Sequence, residues 1–107
     1  MIDIEILKNE IVDKLKPLDP DKIILFGSYA YGTPNENSDI DLFLVKNIDK
    51  DKARNYRLSA RKNLRELIYT HNIGFDVLTA SDDFLKTRDD YFYKVDILKN
   101  GKVLYAK

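Results

Sequence analysis

Phe26-Gly27-Ser28-Tyr29-Ala30-Tyr31-Gly32-Thr33-Pro34-Asn35-Glu36-Asn37-Ser38-Asp39-Ile40-Asp41-Leu42 is the stretch around which the rest of the chain arranges itself. An apolar run, Ile23-Ile24-Leu25-Phe26, ends abruptly in Gly27-Ser28. Two aspartates separated by one apolar residue then open a second apolar run, Leu42-Phe43-Leu44-Val45. Short, continuously apolar runs bounded by glycine and turn residues predict strands buried on both faces. Between them, Ser28 through Tyr31 suits one or two helical turns with Ser28 at or near the N-cap. Gly32, Pro34, Asn35 and Asn37 mark a turn-rich loop. The stretch therefore reads as strand (residues 22–26), phosphate-binding turn, short helix, loop and a second strand (residues 39–46) carrying two carboxylates.

The flanking sequence supplies support for that unit. Residues 2–16 predict an amphipathic helix, with Ile4, Leu7, Ile11 and Leu15 at steps of three and four, stopped by Pro17 and Pro20. Residues 51–70 predict the longest helix, with Ala53, Tyr56, Ala60, Leu64, Leu67 and Ile68 on one stripe. Residues 73–79 predict a third strand, and Ser81 or Asp82 can cap a short helix through Arg88. Tyr91 to Leu98 predicts a last helix, with Tyr91, Val95 and Leu98 on one side, stopped by Asn100-Gly101. Val103 to Tyr105 predicts a short edge strand. The two early strands, joined only by a loop, are expected to pair antiparallel, which makes the fold a small mixed sheet with helices packed on it, of α/β (α+β) class.

Composition narrows the function classes. A chain of 107 residues suits one domain, residues 1–107, with no linker or repeat to divide it. Eighteen basic and eighteen acidic residues cancel, so net charge suggests neither a nucleic-acid nor a membrane partner. The absence of cysteine excludes a disulfide framework and thiolate-ligated metal. The first residues lack the pattern of a secretory signal, and no apolar run is long enough to span a bilayer. A cytoplasmic protein is the expectation.

Asp39 and Asp41 stand two apart in a predicted strand, so their side chains share one face, with Cα atoms about 6.6 Å apart. Carboxylates that close repel unless a cation lies between them. An all-oxygen donor set favours Mg²⁺, Mn²⁺ or Ca²⁺, and paired ions roughly 3.5–4 Å apart serve in-line phosphoryl or nucleotidyl displacement. Asp76 is the candidate third ligand: it interrupts an otherwise apolar strand and, if that strand neighbours residues 39–46, lies about 5 Å across the ladder; the alternative is a charge on an edge strand. Gly27 allows close backbone approach to a phosphate, and Ser28 adds a hydroxyl beside the free N–H groups of a helix start.

Gly27-Ser28, ten intervening residues, then Asp39-Ile40-Asp41 resembles the signature of the DNA polymerase beta-like nucleotidyltransferase superfamily. Small size and the run from Gly27 to Val45 resemble the minimal nucleotidyltransferases, the antitoxin half of HEPN/MNT toxin–antitoxin pairs. The resemblance implies a palm-like mixed-sheet fold, ATP as substrate and two Mg²⁺ ions. It also implies transfer of AMP to a hydroxyl, a tyrosine of a partner HEPN ribonuclease toxin. On it, Asp39, Asp41 and Asp76 are catalytic metal ligands, and Gly27 and Ser28 bind the nucleotide. One departure is Tyr31, at a position where this family often carries arginine. Two alternatives stay open: an antitoxin that neutralises its toxin by contact alone, and a transferase subunit acting on a small molecule such as an antibiotic.

Blander roles compete at other positions. Arg54, Arg57, Arg61 and Arg65 form one stripe bordering the apolar face of the long helix; they read either as a dock for an acidic partner or phosphates, or as a solvated face. His71 is expected to cap a helix C-terminus. Tyr29 and Tyr31 flank the cradle and read either as platforms for a base or as packing, the commoner role of tyrosine in a first helical turn. Tyr91, Phe92 and Tyr93 cannot all face one core, which leaves part of that run for a partner surface.

Overall fold

A computed structural model describes residues 3–35 and 37–107. The expected helical start at Ile2, and Glu36 in the central loop, lie outside the described residues. Four strands form one sheet: β1 (Lys22–Phe26), β2 (Ile40–Val45), β3 (Phe75–Ala80) and β4 (Lys102–Ala106). Their spatial order is β3-β2-β1-β4. β1 runs antiparallel to both β2 and β4, while β2 and β3 are parallel. A parallel pair needs a long crossover, and α3 (Lys50–His71) is that crossover. The mixed sheet expected from the sequence is therefore present, and both outer strands, β3 and β4, are edges.

Each face of the sheet is covered, which is why β1 and β2 read as unbroken apolar runs rather than alternating ones. One face carries Ile23, Leu25, Ile40, Leu42, Leu44 and Val77 against α1 (Ile4–Leu15) and α3, through Leu7, Ile11, Leu15, Ala60, Leu64 and Leu67. The other carries Ile24, Phe26, Phe43 and Val45 against Leu85 of α4 (Asp82–Thr87) and Ile97. There, edge-to-face rings lock the layer: Phe26 on Phe92 at 5.5 Å, Phe43 on Tyr93 at 6.2 Å and Phe84 on Tyr93 at 5.3 Å.

The caps explain most of the boundaries. Asp3 accepts from the Glu5 amide to start α1 at Ile4, inside the expected span, and Ser81 accepts from the Phe84 amide to start α4, as the sequence suggests for Ser81. α3 ends differently from expectation. Asn72 takes the left-handed conformation (φ 51°, ψ 49°) that closes the helix, and His71 instead reaches Glu10 on α1 at 2.9 Å. Asparagine tolerates positive φ, so it displaces histidine from the capping role.

The last helix also departs from expectation. Residues Phe92–Ile97 wind as a π-helix, with the Leu98 amide donating to the Tyr93 carbonyl and the Asn100 amide to Val95. The wider i→i+5 winding turns Phe92, Tyr93 and Ile97 onto the sheet and leaves Tyr91 and Leu98 exposed. An ordinary helical period places Tyr91, Val95 and Leu98 together and misassigns that face. Tyr29 is buried in the core, as its packing role requires, whereas Tyr31 is exposed and does not pack there.

Candidate active site

β1 ends at Phe26, and Gly27 follows at φ 74°, ψ −158°, a region open essentially only to glycine. The chain then turns into α2 (Ser28–Tyr31), closed by Gly32 at φ 77°. Gly27, not Ser28, occupies the N-cap position, and Ser28 is the first helical residue with no capping bond of its own. The Ala30 and Tyr31 amides both donate to the Gly27 carbonyl. The amides of Ser28 and Tyr29 have no hydrogen-bond partner among the described residues. Free backbone donors at such a turn are of the kind that can hold an anion.

The carboxylates lie beside that turn. Asp41 stands opposite Phe26 across β1–β2 and opposite Asp76 across β2–β3. Strands are about 4.8 Å apart, so Asp41 and Asp76 are immediate neighbours. Asp39 sits one residue before β2, exposed, on the same side as Asp41 by strand alternation. All three occupy one end of the face that holds the aromatic layer.

Two glycines, one of them unremarked in the sequence, shape the space around these acids. A Cβ on Gly27 would lie 2.1 Å from an Asp41 carboxylate oxygen, and a Cβ on Gly74 would lie 2.5 Å from an Asp39 oxygen. Asp41 thus leans toward β1 and Asp39 toward β3. Gly74 directly precedes β3, and its carbonyl accepts the Ile40 amide. Only the register of β2 on β3 reveals its role, because spacing along the chain does not show which residue faces Asp39.

The cost of gathering these acids falls on Asp41. Burial, then the charge of Asp76, then that of Asp39, push its carboxyl up to about 6. The sign of the stability effect follows. Between the ordinary carboxylate value and about 6 the folded state binds more protons than the unfolded one. The contribution of this carboxyl to the stability of the cation-free protein is therefore fully present below about pH 4 and is lost as pH rises through 6. A shift of about two units corresponds to roughly 3 kcal/mol; with the carboxylate still half solvated, about 1–2 kcal/mol is expected. Thermal melts from pH 5 to 7 in a chelator should record that fall. A millimolar divalent cation should reverse it, and Asp41→Asn should remove it. A wild-type melting temperature flat across this range would show that the three carboxylates do not repel as placed.

The donor set fits a hard divalent cation: three carboxylates, no nitrogen or sulfur donor, one face, and mutual repulsion that a cation would relieve. Among the described residues no group of three such side chains is gathered closely enough to hold a metal ion as placed; Asp39 and Asp41 lean to opposite sides of β2.

Residues 4–104 match the family model of the nucleotidyltransferase domain. The chain belongs to the nucleotidyltransferase domain family. Nucleotidyltransferase is accordingly its enzyme class. Two curated relatives come from Methanocaldococcus jannaschii, and both are provisionally named protein adenylyltransferases. MJ0604 is 30% identical over 84 residues, covering 78% of this chain and 77% of the relative. MJ1305 is 33% identical over 86 residues, covering 79% of this chain and 58% of the relative. Among solved structures, a toxin–antitoxin complex with AMP-PNP superimposes with a TM-score of 0.61 at 23% identity, over 94% of this chain and 73% of that one. A mutant of the toxin–antitoxin pair MntA–HpeT superimposes at 0.59 and 21%, over the same shares. At these identities the structures establish the nucleotidyltransferase fold.

The remaining features of this nucleotidyltransferase lie around that centre. The Tyr31 hydroxyl donates to Asp96 on the π-helix at 3.0 Å. Burial and that bond raise its pKa, with Tyr91 and Asp41 adding to the effect. Where an arginine would bring a cation, Tyr31 instead ties α2 to the C-terminal layer. No helix among the described residues is long and apolar enough to cross a membrane.

Proposed function

We propose that this nucleotidyltransferase transfers AMP from ATP to a hydroxyl on a protein partner, a tyrosine of a HEPN-type toxin, and acts as the antitoxin of that pair. The observation that carries the reading is the register placing Asp41 opposite both Asp76 and Phe26, so that the carboxylates meet the Gly27–Ser28 turn at one end of the sheet. The names of the M. jannaschii relatives support adenylyl transfer to protein, and the toxin–antitoxin complexes of like fold support the partner class.

Asp39 and Asp41 would hold two Mg²⁺ ions, and Asp76 would share the one nearer the acceptor. When bound, the ions supply charge neutralisation on the triphosphate and a lowered pKa for the attacking hydroxyl. The chain does the rest. The Ser28 and Tyr29 amides and the Ser28 hydroxyl bind the outer phosphates and fix the direction of the leaving pyrophosphate. Phe26 and the aromatic layer restrict water around Asp41. Asp76 is placed to accept the acceptor's proton.

The test is direct. The protein, ATP, Mg²⁺ and the protein encoded beside it are mixed, and the partner's intact mass is followed. A gain of one or more AMP groups on a partner tyrosine is expected. Stable complex formation with no mass gain would replace transfer with neutralisation by contact.

A further inference from the structure

Beyond the active site, a cavity of about 230 Å³ opens between β3 and the start of α3. Phe43, Leu78, Ala80, Phe84 and Tyr93 form its apolar wall. Ala80 lies four residues beyond Asp76 on β3, which places this end of the cavity about 13 Å from the carboxylates. The polar groups of its wall are already used: the Thr79 hydroxyl donates to the Leu44 carbonyl, and the Ser81 hydroxyl caps α4. The cations are not used in the same way. Lys50 and Arg57 line the opening, and neither has a carboxylate partner among the described residues. Lys50 rests 5.8 Å from the Phe84 ring centre.

Arg57 also belongs to the arginine stripe of α3. Arg54, Arg61 and Arg65 are exposed and make no ion pair among the described residues. The stripe spans roughly 16 Å along the helix axis. Leu58 and Tyr69, 46% and 78% exposed, flank it on the outer side of the same helix. Unpaired arginines around exposed apolar and aromatic side chains have the composition of an interface centre rather than of a solvated face. The stripe is longer than a small molecule, while the cavity holds about one side chain.

We propose that this cavity and the α3 stripe together form a docking site for an acidic protein segment. One apolar side chain of the segment fills the cavity, flanking carboxylates meet Lys50 and Arg57, and further acids run along Arg54, Arg61 and Arg65. The site is separate from the carboxylate centre and does not depend on nucleotidyl transfer. On the proposed function, on which this last step alone rests, it would give the acceptor protein a second point of attachment away from the reacting hydroxyl.

The test uses the full chain, isotope-labelled for NMR, and a synthetic peptide with one phenylalanine between glutamates. Saturable shifts are expected at Leu78–Ser81, Phe84 and Arg57, with binding weakened by salt. Arg57→Glu should weaken it at least tenfold, and a peptide with glutamine in place of glutamate should bind comparably weakly. Asp39→Asn with Asp41→Asn should leave binding unchanged, which separates this proposal from the catalytic one. Three outcomes would overturn it: no saturable shifts, equal binding of the glutamine peptide, or binding of a short oligoribonucleotide at these residues in preference to the acidic peptide.

Discussion

Asp41→Asn will abolish nucleotidyl transfer while making the cation-free protein more stable at neutral pH. The loss of activity follows from position. Asp41 is flanked by Asp39 along the strand and by Asp76 across it, so on the proposed function it is the central member of the carboxylates that would hold the cations. Altering residues that only support a metal's ligands typically costs 10–100-fold; removing a central ligand should cost on the order of 10³-fold or more in rate. The gain in stability follows from the carboxyl's pKa of about 6, raised by burial first and by Asp76 and Asp39 second. An amide of the same shape keeps the packing and removes the like-charge repulsion. About 1 kcal/mol is expected at pH 7 after allowing for solvent screening, or roughly 4–8 °C in melting temperature for a domain of this size. Activity assays and melts on one preparation check both halves. A variant that is inactive and also less stable would mean that the Asp41 carboxylate supports the fold, and that its inactivity says nothing about chemistry. Opposed signs are what a residue retained for chemistry at the expense of stability produces.

What could be read from the sequence, and what could not, divides along a physical line. Local signals were sufficient wherever one element carries the information. The apolar run Ile23–Phe26 ending in Gly27 specifies a buried strand and a sharp turn, and Asp39-Ile40-Asp41 places two acids on one face. The adjacency of β2 and β3 was legible only as a condition: if the two strands are neighbours, the acid within the apolar strand falls beside the pair; that they run parallel comes from the structure. The π-helix was not legible. Its winding is set by Phe92, Tyr93 and Ile97 packing onto Phe26 and Phe43, a tertiary cause that overrides the ordinary helical period. Gly74 was missed because its task, leaving room for Asp39, exists only once the register of β2 on β3 is known. The cavity beside α3 is likewise assembled from β2, β3, α3, α4 and the π-helix. In the sequence it leaves only the arginine stripe, which does not by itself distinguish a dock from a solvated face.

Gly27→Ala is the second large effect, and two other glycines make its interpretation secure. Gly27 and Gly32 both have positive φ, 74° and 77°, so an alanine at either is strained. At Gly32 the added methyl meets nothing within 4 Å, and the left-handed conformation alone should cost about 1–2 kcal/mol. At Gly74 φ is ordinary; the methyl meets the end of the Asp39 side chain, at 2.5 Å, and that side chain can swing away. Stability should hardly change there, while activity falls because Asp39 is displaced. Gly27 combines both penalties. Its ψ of −158° puts it where a side chain is scarcely tolerated, and its methyl would lie 2.1 Å from an Asp41 oxygen. The expected result is a loss of about 2–3 kcal/mol in stability together with at least a 100-fold loss of transfer, measured by denaturant unfolding and partner labelling. Gly32→Ala should lose less stability than Gly27→Ala and keep most of its activity, and Gly74→Ala should keep its stability and lose activity. If Gly27→Ala instead behaved like Gly32→Ala, with stability reduced and labelling intact, the contact between turn and carboxylate would be dispensable. The phosphates would then have to be held elsewhere than at the Ser28 and Tyr29 amides. If it loses both, the turn is what sets the position of Asp41, and the same glycine that admits a phosphate to the backbone also fixes the reach of the carboxylate beside it.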